Sequence, residues 1–312
     1  IAGRDGAEPV ASEDLARLSA ALAHRGPDDA QHFQDGSVGL AVRRLAIIDP
    51  ESGDQPIFAE DGRVAVVCNG EIYNFRELRD ELRGRGHRFA GGSDAEVIVH
   101  LYEELGVGFV ERLRGMFALA LWDAGERRLL LARDAFGIKP LVYALNERRL
   151  AFASELKALV TLPDVSRDVD PEALETYLAV NAVLSPRTML RDVRRLPPGH
   201  LMTLDAGGRV SVRRWSDDVP AAAGAVRREP VAVLARELRE HLARAVETHL
   251  VADRPVGLLL VGFVVVYFAV AMLVSNRLLD GQPKLLQLAG YAFFGLIWVI
   301  PAGFIIRWMA RP

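Results

Sequence analysis

Apolar positions in the first 160 residues alternate between helical and strand spacing. Leu15, Leu18 and Leu22 form a stripe behind Ser12-Glu13-Asp14, which reads as an N-cap with acids in the first turn. Phe75, Leu78 and Leu82 repeat the stripe among charges. Ser93-Asp94-Ala95-Glu96 has the form of a capping box, Val97, Ile98, Leu101, Tyr102 and Leu105 continue it, and Gly106 stops the helix. Short apolar runs of strand type lie at Val64 to Cys68, Met116 to Trp122 and Leu129 to Ala132. The last two flank Asp123-Ala124-Gly125-Glu126, which reads as a hairpin turn. Asp170-Pro171 opens another helix, aspartate as cap and proline at the first helical position. A second hairpin is expected from Leu201 to Leu204 and Val210 to Trp215 around Asp205-Ala206-Gly207-Gly208. A linker at Ser216 to Pro230 precedes an amphipathic helix over Val231 to Leu250, apolar at Val231, Leu234, Leu238, Leu242 and Val246. Periodicity alone supports mixed α and β.

Beyond Arg254 the pattern changes. Val256 to Val274 is nineteen residues without a charge, and Leu285 to Ile306 is twenty-two with only Gln287 strongly polar. Each is long enough to span a hydrocarbon core of about 30 Å. The thirteen Leu, Ile, Val and Phe side chains of the first span favour insertion by about 4 to 8 kcal/mol as an upper bound. The alternative is a pair of buried helices in a large soluble core. Trp308 beside Arg307 suits an interfacial anchor, and Pro301 predicts a kink. The loop from Ser275 to Lys284 has two basic residues, against Arg236, Arg239, Arg244 and Arg254 before the spans and Arg307 and Arg311 after them. That distribution places both ends of the pair in the cytoplasm.

Composition deepens the break. Of the 312 residues 50% are hydrophobic and the net charge is −3, yet the last 57 carry four basic residues against one acid. The first 255 hold 34 basic and 40 acidic residues. A single uniform soluble fold is excluded, as is nucleic-acid binding through bulk positive charge. The only cysteine, Cys68, excludes an internal disulfide and a cysteine-based zinc knuckle, and a reducing compartment fits. Ile1 to Val10 has neither the basic start nor the apolar core of a signal peptide, and no initiating methionine precedes it. The expectation is a fragment whose true start lies upstream.

Chemistry-bearing residues cluster early. His24-Arg25-Gly26-Pro27-Asp28, Arg44-Leu45-Ala46-Ile47-Ile48-Asp49, Asn69-Gly70-Glu71-Ile72-Tyr73-Asn74 and Gly92-Ser93-Asp94 follow in order. They offer an arginine for a carboxylate and two acids for an ammonium, the set needed to hold a free amino acid. An Asn-Gly pair presents a side-chain amide and a backbone N–H to a developing oxyanion. Taken singly, each has a plainer reading: Asn69-Gly70 as a turn, Asp94 as a helix-start acid, Arg44 as a surface charge. Cys68, at the end of an apolar run, reads as a small core thiol.

Together, the order and wording of these clusters resemble the N-terminal glutaminase domain of glutamine-hydrolysing asparagine synthetases, a class II glutamine amidotransferase. Gly115-Met116-Phe117-Ala118, Arg133-Asp134-Ala135-Phe136-Gly137-Ile138-Lys139-Pro140-Leu141 and Ala153-Ser154-Glu155-Leu156-Lys157-Ala158-Leu159 agree, and the likeness runs from Ile1 to about Leu260. It implies an α+β fold, the N-terminal-nucleophile hydrolase type of αββα sandwich. A cysteine at the mature N-terminus attacks the glutamine side-chain amide, a thioester forms, ammonia leaves, and water releases glutamate. By the same resemblance Arg44 holds the glutamine carboxylate, Leu45, Ala46, Ile47 and Ile48 line the pocket, Glu71 and Asp94 bind the ammonium, and Asn69 and Gly70 form the oxyanion hole. No metal or cofactor is implied for this domain; ATP and magnesium belong to the intact family enzyme, which amidates aspartate.

Two departures stand out. The family begins Met-Cys-Gly before the Ile-Ala-Gly seen here, so the nucleophile is expected two residues before Ile1. The stretch from His249 to Leu260 resembles the approach to the synthetase domain, and Leu259 matches a nucleotide-contacting position. The family's following Ser-Gly-Gly-Leu-Asp-Ser pyrophosphate loop is here Val261-Gly262-Phe263-Val264. From about Leu258 to Pro312 the chain is similar to a short bacterial two-helix membrane protein family of unknown function. The implied organisation is a glutaminase core at 1–160, the end of that domain at 161–215, a linker and truncated synthetase start at 216–255, and a transmembrane hairpin at 256–312. The implied partners are glutamine, with aspartate and ATP in an intact synthetase, and a lipid bilayer through 256–306. The expected location is the cytoplasm for the enzyme part, anchored at the inner membrane by the hairpin. The leading expectation is an inactive fragment or chimera. The alternatives are a membrane-tethered, non-catalytic glutamine-binding domain, and a membrane hairpin with a passenger domain.

Overall fold

The computed structural model describes residues 1–4, 8–45, 54–216 and 229–249. Contacts divide the chain between Val251 and Ala252, and every described residue belongs to the first unit. The apolar spans and Leu259 lie outside the described residues, as do Ala46, Ile47 and Ile48. Among the described residues no helix is long and apolar enough to cross a membrane.

Twelve strands make two antiparallel sheets of six. They are β1 (Ala2–Gly3), β2 (Asp29–Asp35), β3 (Val38–Arg44), β4 (Ile57–Phe58), β5 (Val64–Ile72), β6 (Gly115–Asp123), β7 (Arg128–Arg133), β8 (Val142–Leu145), β9 (Arg149–Ala153), β10 (Val193–Arg195), β11 (His200–Leu204) and β12 (Val210–Arg214). The first sheet has the order β10-β8-β9-β1-β3-β2, the second β12-β11-β7-β6-β5-β4. The helices are α1 (Ser12–Ala21), α2 (Phe75–Gly84), α3 (Val97–Leu105), α4 (Leu156–Leu159), α5 (Pro171–Val180) and α6 (Val231–His249).

Three buried clusters define the layers. Val38, Leu40 and Leu150 of the first sheet meet Ala65, Val67, Ala120, Leu129 and Leu131 of the second across the centre. The outer face of the first sheet, with Val142, Ala151 and Val193, packs on Leu15 and Leu18 of α1 and Ala158 and Leu159 of α4. The outer face of the second, with Val66, Cys68, Leu119 and Leu121, packs on Leu78 and Leu82 of α2 and Ile98 and Leu101 of α3. The result is the expected αββα sandwich. Alternation sends the buried residues of the central strands to one core or the other, since successive side chains leave a strand on opposite faces. In β5 the even positions Val64, Val66 and Cys68 face the helices, and the odd positions Ala65 and Val67 face the other sheet.

Several local expectations hold and several change. Asp170 caps α5, its Oδ1 accepting the N–H groups of Glu172 and Ala173. Gly106 ends α3 at φ +55°, a left-handed conformation that glycine adopts without strain. Ser12 does not cap α1: the N-cap is Ala11, and the Ser12 hydroxyl donates to Gln34 Oε1 at 3.0 Å. The capping box at Ser93 is half formed. Ser93 Oγ accepts from Ala95 N, but the Glu96 carboxylate reaches back to the N–H groups of Ala90 and Gly91. The first turn there is a short 3-10 segment, Asp94–Glu96. The apolar stripe of α6 is exposed at Val231, Leu238, Leu242 and Val246 rather than packed.

Candidate functional site

The strand pattern predicted for Val64 to Cys68 continues four residues further. Asn69, Gly70 and Glu71 sit inside β5, paired opposite Ala118, Phe117 and Met116, so the turn reading of Asn69-Gly70 is wrong. Gly70 explains how the strand carries on. Its φ is +154°, and a Cβ there would stand 2.0 Å from the Met116 carbonyl oxygen. Gly115 answers it on β6, where a Cβ would lie 2.1 Å from Glu71 O. Two glycines thus let the strands close tightly at this end. Alternation turns Asn69 and Glu71 toward the opposite sheet, and Cys68 away into the outer core.

Asn69 to Glu71 form one wall of a cleft of about 290 Å³ between the sheets. The start of β1 at Ile1 and the end of β3 at Arg43, Arg44 and Leu45 form another. Asp94 and Ser93 come from the 3-10 turn. Six of the residues expected at the glutamine site therefore meet here: Arg44, Leu45, Asn69, Gly70, Glu71 and Asp94. Gln55, Lys139 and Ser154 also line the cleft and were assigned no role from sequence. Lys139 and Ser154 stood within quoted motifs; Gln55 carried no signal.

Electrostatics single out Asp94. It is only 6% exposed, its Oδ2 accepts the Ile72 N–H at 2.6 Å, and burial raises its pKa to about 6. The neighbouring Glu71 charge pushes in the same direction. No cationic side chain among the described residues is bonded to Asp94. Asn69 presents a second unmet demand, because its Nδ2 is buried without an acceptor. Such a donor costs about 1–3 kcal/mol in desolvation. Arg44, whose side chain is 11% exposed, donates from Nη1 to Asp54 Oδ1 at 3.1 Å.

The surrounding motifs act as scaffold. Asp134, fully buried, accepts backbone N–H groups from Phe117, Phe136, Ile138 and Lys139, and so shapes the loop that brings Lys139 to the cleft. Arg133 ties the same loop through the carbonyl oxygens of Gly137, Lys139 and Leu196. Arg25 and His24 both meet Glu155, joining two motifs that are 130 residues apart. Cys68 is fixed by Gln55, whose Oε1 accepts the Cys68 N–H at 2.7 Å and whose Nε2 donates to Cys68 O at 3.1 Å. Burial drives the Cys68 thiol far above its ordinary pKa, the opposite of what a nucleophile needs.

Fold and site together define an αββα domain with an amino-acid-sized polar cleft between its sheets. By comparison, residues 1–216 match the glutamine amidotransferase domain model, and the chain belongs to that family. Residues 254–312 match a second family, described only as a protein of unknown function. Glutamine-hydrolyzing asparagine synthetase 2 of Bacillus subtilis (strain 168) is 40% identical over 256 residues, 80% of this chain and 34% of that protein. Glutamine-hydrolyzing asparagine synthetase 1 of Arabidopsis thaliana is 39% identical over 252 residues, 78% of this chain and 36% of that protein. This chain therefore spans about a third of the curated relatives it matches. A solved glutamine phosphoribosylpyrophosphate amidotransferase from B. subtilis superposes with a TM-score of 0.47 at 20% identity, over 69% of this chain and 48% of that one.

Proposed function

We propose that the 1–216 unit is the glutamine-hydrolysing part of an asparagine synthetase-type enzyme, releasing ammonia from the glutamine side chain. The orphaned Asn69 Nδ2 in the same cleft as Asp94 carries this reading. A donor held ready without an acceptor suits an oxyanion that exists only during reaction. Among the described residues Asp94 and Glu71 have no cationic partner, and they take the substrate ammonium. Arg44 takes the carboxylate, exchanging the exposed Asp54 carboxylate for it. Leu45 lines the pocket.

The nucleophile of this reading is a cysteine two residues before Ile1. The register of β1 supports this position. Ala2 pairs with Val38 and Leu150, so a strand continued two residues upstream of Ile1 arrives opposite Ala41 and Ala153. Both line the cleft. Attack there forms a thioester, with the oxyanion held by Asn69 Nδ2 and the Gly70 N–H. Ammonia departs, and water then yields glutamate.

Aspartate, ATP and magnesium enter only with an intact synthetase. In this sequence Val261 and Phe263 occupy the serine and second-glycine positions of the pyrophosphate loop, and a hydrophobic side chain in such a loop cannot donate to phosphate. No ATP-dependent step is therefore assigned. The separate family match at 254–312 supports a second reading, a glutamine-binding domain joined to a segment of different origin. Adding Met-Cys-Gly before Ile1 and assaying glutamate release from glutamine separates the two. Turnover that vanishes when the added cysteine becomes alanine supports the enzyme. Glutamine binding without turnover supports the binding domain, and neither outcome refutes the site.

A further inference from the structure

A second polar cluster lies outside the cleft, on the helical layer that covers the second sheet. It gathers Glu60 from the β4–β5 turn, His87 from the segment after α2, and His100 from α3. Each brings one potential ligand atom, and these atoms all lie within 4.8 Å of one another.

His100 is the informative member. It is 1% exposed, and its Nδ1 lies 3.1 Å from Glu103 Oε2. A carboxylate only accepts, so Nδ1 is the nitrogen that donates to Glu103, and the neutral imidazole with its proton there presents its lone pair at Nε2. That Nε2 is buried and has no hydrogen-bond partner. A carboxylate behind one ring nitrogen with the other left open is the arrangement that orients a histidine toward a metal. His87 packs beside it, ring centroids 4.9 Å apart; its Nε2 is hydrogen-bonded to Glu104 Oε1 at 3.0 Å, which leaves Nδ1, 3.5 Å from Glu103 Oε2 and without a hydrogen bond, as its ligand atom. Glu60 uses Oε1 to accept the Arg88 N–H at 2.7 Å, which leaves its second oxygen. Phe89, 4.5 Å from the His100 ring, closes the apolar side.

We propose that His100, His87 and Glu60 form a binding site for a divalent late first-row transition-metal ion of the zinc class, with Glu103 orienting His100 and Glu104 orienting His87. Two imidazoles and one carboxylate suit zinc, whereas calcium and magnesium prefer all-oxygen shells. The ion satisfies the His100 lone pair and joins three segments distant in sequence. It tethers α3 close to where the chain leaves Asp94. This site does not depend on the glutamine reading, and its test needs no substrate.

The test uses the full chain expressed without a histidine tag, stripped with a chelator, then titrated with Zn²⁺ by calorimetry and with Co²⁺ by visible absorption. The expected result is one equivalent bound at micromolar affinity or tighter, with the intense visible bands of tetrahedral cobalt. H87N should abolish the stoichiometric site, and E103Q should weaken it by about 10- to 100-fold. E60Q changes an exposed side chain, keeps the fold, and should weaken binding about tenfold or more while altering the cobalt spectrum. Absence of stoichiometric binding by the unaltered chain overturns the proposal. So does an E60Q variant that binds with unchanged affinity and spectrum.

Discussion

The carboxylate of Asp94 accepts the backbone N–H of Ile72 at 2.6 Å, yet this bond does not offset the loss of water around a buried charge. Its pKa near 6 follows from burial first and from the Glu71 charge second. In the folded ligand-free chain Asp94 holds its proton at pH values where the unfolded chain has lost it. Stability from this group is therefore greatest near pH 4 and falls as pH rises to about 6, by about 3 kcal/mol in all. D94N should flatten that slope and raise stability at pH 7, measured by urea denaturation across pH 4 to 8. Glutamine affinity should run the other way, weakening below about pH 6 as the carboxylate protonates and is lost for binding an ammonium. A D94N variant with wild-type glutamine affinity would contradict the ammonium assignment.

Asn69 should separate chemistry from folding. Since Nδ2 has no partner, removing it breaks no bond in the resting chain and relieves a desolvation cost of about 1–3 kcal/mol, so N69A should not destabilise the fold. With the upstream cysteine in place, kcat for glutamine hydrolysis should fall by about 10²- to 10³-fold with little change in KM. Equal losses in KM and kcat would make Asn69 a binding residue instead.

Gly70 should tolerate nothing larger. A methyl group 2.0 Å from Met116 O forces β5 and β6 apart at the cleft wall, so G70A should destabilise by about 3 kcal/mol. G62A offers the contrast. Its Cβ would meet no atom within 4 Å, so the cost is limited to a positive φ of +72°. Thermal midpoints of the two variants, compared side by side, check the distinction.

Cys68 should be chemically quiet. Buried and with its thiol held protonated, it should react with iodoacetamide at pH 8 orders of magnitude more slowly in the folded chain than in urea. C68A should leave hydrolysis by the upstream cysteine intact. Loss of turnover in C68A with the fold retained would assign the thiol a role in the reaction.

The central elements were legible because their signals were local. The apolar runs of β5, β6 and β7, the hairpin at Asp123 to Glu126 and the Asp170 cap each lie within a few residues of their cause. What escaped depends on partners far away in the chain. The β2–β3 hairpin is hard to see because β2 is an edge strand, exposed at Gln31, His32 and Gln34, with no inward alternation to announce it. The Asn69-Gly70 pair suggests a turn until Gly115 is known to face Glu71 across the sheet. Glu96 looks like a capping-box acid but bonds Ala90 and Gly91, a choice set by the path of the preceding loop. The wording of the motifs points to Arg44, Asn69, Glu71 and Asp94, and only the fold brings these four around one cleft. The histidines at 87 and 100 had no sequence signal, since only folding brings them to Glu60.

β1 is two residues long and lies between β3 and β9 in the middle of its sheet. A strand continued ahead of Ile1 in the same register would run past Ala41 and Ala153, which line the cleft. An affinity tag fused at that end would thus plug the pocket it was meant to help purify. Biochemistry on this protein calls for a handle elsewhere.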